Sequence, residues 1–242
     1  MKPYVPSCEE EARYLAAYDP SKYKNPAVTA DIALFGREEE ALFLLLIRRG
    51  GYPYKGYFAL PGGFIHISES VPAGAARELL EETGVQGVKL YECGVLSEPE
   101  RDPRQRVISV LYWAEVEKAA VRPAAGDDAA AAEWFRFSEY SCQGEKGNRQ
   151  YRFTLSGSET FHIALQEVWE NGILHYEQMG DCLANDHAQA CLMAYLGYLR
   201  EQEGACPGRF SPAGASNRRA LRCAASGGRV EEGRNRNRWR QR

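Results

Sequence analysis

Three glutamates, Glu78, Glu81 and Glu82, stand at spacings i, i+3 and i+4 in the stretch GGFIHISESVPAGAARELLEETGV, Gly62 to Val85. On a helix turning about 100° per residue they share one arc. Like charges so placed repel, each i,i+4 pair by about 0.2–0.5 kcal/mol. An isolated helix gains nothing from that arrangement. A hard divalent cation such as Mg²⁺ reverses the sign, because it takes carboxylate oxygens and keeps waters for substrate phosphates. A solvated acidic face is the ordinary explanation of such a cluster. Here Arg77 stands immediately before the first glutamate, and Glu69 and Gly62-Gly63 precede it.

The helix that must present these side chains is well marked. Ser70 suits an N-cap, Pro72 a first turn and Gly84 the C′ position. Within it Ala73, Ala76, Leu79 and Leu80 form an apolar arc roughly opposite the glutamates. Val28–Phe35, Ala41–Arg48, Val88–Leu96 and Val107–Glu117 read as strands, the second apolar enough to be buried on both faces. Arg122 to Ala132 reads as a loop and Trp134–Phe137 as a short strand. Tyr151 to Gln178 holds weaker strand signals broken at Gly157 and Asn171-Gly172, and Leu183–Arg200 has the spacing of an amphipathic helix. Strands alternating with helices predict an α/β or α+β layered domain.

Composition narrows the classes. The chain has 242 residues, of which 44% are hydrophobic and 26% charged, as in a globular protein. A run of 18 apolar residues is lacking, which argues against a membrane span. The opening MKPYVPSCEEEARY has no apolar segment of the secretory type. Seven cysteines are scattered without a C-x-x-C pair, which argues against a disulfide framework or zinc site and predicts a cytoplasmic, reducing setting. Residues 201–242 carry ten arginines against four acids, while residues 1–200 are net −9. That last segment lacks the apolar surface to order itself and is expected to be a disordered, solvated tail; a basic nucleic-acid arm is the weaker reading.

The glutamate-bearing stretch resembles the Nudix box: Gly63, Glu69, Arg77, Glu78, Leu79, Glu81, Glu82, Gly84 and Val85 each fill the required position. The chain is identified on these residues as a Nudix hydrolase. The resemblance implies an α/β/α sandwich with a mixed sheet and a loop–helix–loop catalytic motif. It implies Mg²⁺ or Mn²⁺ held by Glu78, Glu81 and Glu82 with the carbonyl of Gly63. Glu81, Glu82 and Arg77 are the implied catalytic group, Arg77 orienting a glutamate. Glu69 and Gly84 have structural roles in the motif, and Leu79 and Val85 belong to the core.

Outside the box, YKGYFALPGGFI, ERDPRQRVIS and LANDHA are similar to segments of the ADP-ribose pyrophosphatase-like branch and of the Nudix-related transcriptional regulators. Phe58 stands where that branch often has tryptophan, and Asn185 where it more often has phenylalanine. The domain is expected over residues 25–202, between an N-terminal extension (1–24) and the tail (203–242). The implied substrate is a nucleoside diphosphate linked to another moiety, most readily ADP-ribose or a nucleotide sugar. The branch also implies a homodimer.

Arg101 and Arg104 are the candidate diphosphate ligands, since guanidinium forks suit phosphate, with Arg106 behind them. Glu82, Glu98, Glu100 and Asp102 qualify by type as general base, and the Asp127-Asp128 loop is a further possibility. Tyr52, Tyr54 and Phe58 could stack on a base or pack. His187 reads as a capping or core histidine, and His66, His162 and His175 have no assigned partner. Two competing functions share the box: a nucleotide-sensing regulator, which needs a winged helix after the core, and a house-cleaning nucleoside triphosphate hydrolase.

Overall fold

The structure, a computed structural model, describes residues 4–123 and 129–205. The elements run α1 (Glu9–Ala17), β1 (Ala27–Glu38), β2 (Ala41–Arg49), β3 (Phe58–Ala59), β4 (Gly62–Phe64), α2 (Val71–Thr83), β5 (Tyr91–Leu96), β6 (Val107–Glu117), β7 (Ala129–Gln143), β8 (Gln150–Ser156), β9 (Thr160–Glu170), β10 (Ile173–Gln178) and α3 (His187–Ala205). The strands form one sheet in the order β10-β9-β8-β7-β2-β1-β6-β5, with β3 added to β2 and β4 to β1. β1 and β6 pair in parallel and the other neighbours antiparallel, so the sheet is mixed.

The strand period of two divides the core between two faces. Ile32, Leu34, Leu45 and Ala114 point one way, onto Ala75 and Leu79 of α2. Ala33, Phe35, Leu44, Leu46 and Trp113 point the other way, onto Ala188, Leu192 and Tyr195 of α3. The result is the expected α/β/α sandwich. The apolar run Ala41–Arg49 is buried from both sides because each face carries a helix.

Three expectations need correction. β7 spans Ala129–Gln143, so it takes in the end of the expected loop and far exceeds Trp134–Phe137. Its alanines have weak strand preference, but pairing with β2 from Leu42↔Phe137 to Arg48↔Ala131 overrides it. The apolar arc of α2 is also misplaced. Ala73, Ala76 and Leu80 are exposed, and the buried positions are Gly74, Ala75, Leu79 and Thr83. Gly74 is small because the loop before the helix packs against it: a Cβ there would stand 2.5 Å from Ile65 Cδ1 and 2.8 Å from Glu69 Oε1. α3 begins at His187 rather than Leu183, since Asn185 has φ 47° and interrupts helical backbone. It ends at Ala205; residues 206–242, most of the expected tail, lie outside the described residues, as do Asp127 and Asp128.

Candidate active site

Gly62 and Gly63 open β4, which pairs antiparallel with the middle of β1. Gly62 has φ +154°, and a Cβ there would collide with the Ala30 carbonyl oxygen and Asp31. Only glycine permits this approach. It brings the turn over β1, where α2 reaches down from the other side. The Gly62 amide donates a 2.7 Å hydrogen bond to Glu82. A Cβ on Gly63 would stand 2.5 Å from the Glu78 carboxylate. Two box glutamates are thus seated on the adjacent glycines Gly62 and Gly63.

Glu78 and Glu82 are one turn apart, on the inward side of α2, and both line a cleft of about 430 Å³. Asp31, 8% exposed, lines the same cleft from β1 and accepts a short hydrogen bond from Ser109. Burial pushes the Glu82 carboxyl up to about 8, with the Gly62 amide opposing and the charges of Glu78 and Asp31 adding to the rise. An acidic pocket of this kind holds hard oxygen donors whose mutual repulsion a divalent cation would relieve, so the residues present fit Mg²⁺ or Mn²⁺. Among the described residues no three acidic, histidine or cysteine side chains already stand together in a closed ligand cluster.

Glu81 is placed differently. Its side chain is 56% exposed, does not line the cleft, and accepts a 2.8 Å bond from Arg77. Arg77 donates from all three nitrogens: to Glu69 (2.7 and 3.2 Å), to Glu78 (2.8 Å), to Glu81, and to the Phe64 carbonyl (3.0 Å). All five donors of the guanidinium are used, so Arg77 orients the glutamates and has none left for a substrate. The Arg77 bonds, with the His66 amide, hold the Glu69 carboxyl at about 2. Gly84 closes the helix at φ 73°, its amide bonded to the Leu80 carbonyl. Leu79 and Val85 are buried in the core.

The same cleft is lined by Arg101 and Arg104. The Arg101 side chain is 6% exposed and gives Asp186 a bidentate pair at 2.7 and 2.8 Å. Arg104 gives Asp102 a pair at 2.7 and 3.0 Å, and its guanidinium lies over the Phe64 ring. Arg106 donates to the Ser97 carbonyl and does not line the cleft. Of the general-base candidates, Glu82 and Asp102 line it, whereas Glu98 and Glu100 do not. Phe58 is a core residue, Tyr54 packs beside Ile47 and Ala59, and Tyr52 is 84% exposed at the cleft mouth.

His187 is buried at the cleft's inner end. Its Nδ1 accepts the Leu60 amide at 3.1 Å, and burial lowers its pKa. The other histidines have partners: His66 near Glu69, His162 near Thr154 and His175 near Glu98. Asp31, Arg49 and Asp186 are site residues that the sequence reading missed. Asp31 had a signal, since an acid inside the apolar run VTADIALF must be bonded or functional.

The NUDIX domain family matches residues 25–155, which hold the box and most of the residues that line the cleft. The chain belongs to that family. It is 43% identical over 113 residues to the ADP-ribose pyrophosphatase of Methanocaldococcus jannaschii, covering 47% of this chain and 63% of that one. It is 41% identical over 106 residues to the ADPR responsive transcriptional repressor NtrR of Acinetobacter baylyi, covering 43% and 42%. The chain spans about half the length of the curated relatives it matches. A crystallised MutT/nudix family protein from Enterococcus faecalis superposes with TM-score 0.60 at 27% identity, covering 81% of this chain and 70% of that one. The Nudix fold therefore extends over the strands and helix that follow the matched segment. No helix among the described residues is long and apolar enough to cross a membrane.

Proposed function

We propose that this Nudix protein hydrolyses a nucleoside diphosphate linked to a second moiety, with ADP-ribose as the leading substrate and a nucleotide sugar the next. The observation that carries the reading is the presence, in the lining of one cleft, of Glu78, Glu82 and Asp31 together with Arg101 and Arg104. A diphosphate needs both kinds of group: cations for its non-bridging oxygens, and anions that would hold a divalent metal to offset their charge.

In this reading Glu78 and Glu82 hold Mg²⁺ or Mn²⁺, with the Gly63 carbonyl as a further donor. The metal supplies charge neutralisation at phosphorus and lowers the pKa of bound water. Arg77 keeps Glu78 in place, and Glu81 acts through Arg77. Arg101 and Arg104 draw the diphosphate in and offset charge that builds on the bridging oxygen. The water oxygen bonds to one phosphorus as the bridging P–O bond breaks; ADP-ribose would give AMP and ribose 5-phosphate. The water's proton passes to a carboxylate of the cleft, and Glu82 and Asp102 are the candidates by position. A homodimer and a cytoplasmic setting belong to the same reading.

The 41% identity to an ADPR-responsive repressor supports a second reading, in which the same cleft binds ADP-ribose without turning it over. One experiment decides between the two. Purified protein is incubated with Mg²⁺ or Mn²⁺ and a panel of ADP-ribose, nucleotide sugars and nucleoside triphosphates. Chelator-sensitive hydrolysis of ADP-ribose supports the enzyme. Binding of ADP-ribose with no turnover supports the sensor, and preferred turnover of triphosphates supports the house-cleaning alternative.

A further inference from the structure

The segment leading into α3 lies beyond the matched family segment, yet it forms the inner wall of the cleft through Ala184, Asn185 and His187. It is pinned at two points to the chain just before the box. The Ala184 amide donates to the Phe58 carbonyl at 2.7 Å, and the Leu60 amide donates to His187 Nδ1 at 3.1 Å. Asp186 sits between these pins, so its position relative to Gly62 and Gly63 is set by backbone contacts on either side.

From that position Asp186 takes Nε and Nη2 of Arg101 in the bidentate geometry that carboxylates form with guanidinium. Two of the five donors are thereby used. Among the described residues nothing accepts from Nη1 or from the second Nη2 hydrogen, while Arg101 lines the cleft. The guanidinium is thus almost fully enclosed, held by Asp186 along one edge and, among the described residues, without a protein acceptor along the other. Asp31 and Asp102 are the other anions close enough to act on it. Without Asp186 they would compete for it, and the free edge would no longer be aimed at a bound diphosphate.

We infer that Asp186 is a positioning residue that presents Arg101 as one jaw of a diphosphate clamp. This rests on the hydrolase reading for its substrate but not for its test. A purely structural ion pair would tie the loop before β6 to α3 and leave anion binding unchanged once the protein is folded. A positioning pair makes anion binding depend on Asp186 only through Arg101.

The test uses the full chain and two probes, ADP and uncharged adenosine, titrated calorimetrically in the presence of chelator. Asp186→Asn is expected to weaken ADP by roughly 10- to 100-fold, the usual consequence of losing a partner that orients a ligand. Adenosine affinity should not move. Arg101→Ala should weaken ADP similarly, and the double variant should be no worse than Arg101→Ala, as for two residues acting as one unit. Should Asp186→Asn fail to fold, Asp186→Glu answers the same question, because its longer stem misplaces the bidentate pair while keeping the charge. The inference is overturned by wild-type ADP affinity in a folded Asp186 variant, by additive losses in the double variant, or by a wild type that does not bind ADP. Absent hydrolysis alongside Asp186-dependent ADP binding would sink the hydrolase reading and leave the clamp standing.

Discussion

The Gly62 amide donates its hydrogen to the Glu82 carboxylate at 2.7 Å, joining the strand that pairs with β1 to the helix that carries the acids. Glu82 is thereby fixed in direction although burial and two neighbouring carboxylates disfavour its charge. Glu82→Gln keeps the acceptor for Gly62 and removes the anion. Turnover of ADP-ribose with Mg²⁺ should fall on the order of 100-fold or more, since the lost metal contact carries several kcal/mol of charge stabilisation. The metal-free variant should melt no lower than wild type, because the amide has no ionisation for burial to oppose. Full activity in Glu82→Gln would remove this residue from the chemistry.

The two glycines of β4 should fail in different ways. Gly62→Ala places a methyl group against the Ala30 carbonyl at a φ that other residues rarely adopt. The backbone conformation alone costs about 1–3 kcal/mol, and the overlap adds to it. A drop in melting temperature is expected whether or not metal is present. Gly63→Ala instead meets the end of the Glu78 side chain, which can move. Its fold should survive while metal-dependent turnover is lost. Circular dichroism melts and turnover, measured on both variants, separate the two effects.

The box was legible because each of its positions demands a residue type for a local reason: a glycine beside a backbone, a guanidinium with five acceptors, a left-handed residue at Gly84. Longer-range features were not. Asp186 and Arg101 are 85 residues apart, and nothing near either one marks the pairing. The inward face of α2 was misread because hydropathy ranks Leu80 above Gly74, whereas close packing against Ile65 and Glu69 selects for smallness. In the sheet, Ala129–Ala132 carry little strand preference of their own and become strand by pairing with β2. Asp31 was the missed opportunity, an acid set among buried aliphatics in a strand that was otherwise located correctly.

Glu69 and Arg77 predict an acid limit to stability. The Glu69 carboxyl is held at about 2 against an ordinary value of 4.5, chiefly by the Arg77 guanidinium. A carboxylate lowered on folding stabilises above its unfolded pKa and loses that contribution as pH falls through its folded one. The melting-temperature gap between wild type and Glu69→Gln should therefore be constant above about pH 5 and close progressively between 4.5 and about 2. Arg77 stays charged throughout, so the window belongs to Glu69. A gap that persists unchanged at pH 2 would assign the effect to packing instead.

Divalent metal should stabilise the protein unequally through its three box glutamates. A ligand that binds only the folded state, present at 100 times its Kd, adds about 2.7 kcal/mol of stability. Mg²⁺ or Mn²⁺ should thus raise the melting temperature, and chelator should reverse the rise. Glu78 and Glu82 line the cleft, so Glu78→Gln and Glu82→Gln should each lose most of it. Glu81 is half exposed and turned to Arg77, so Glu81→Gln should keep most of the metal-induced rise. It should still slow turnover, because Arg77, released from one carboxylate, holds Glu78 less firmly. Equal loss of the metal effect in all three variants would mean that Glu81 swings into the cleft when the cation arrives.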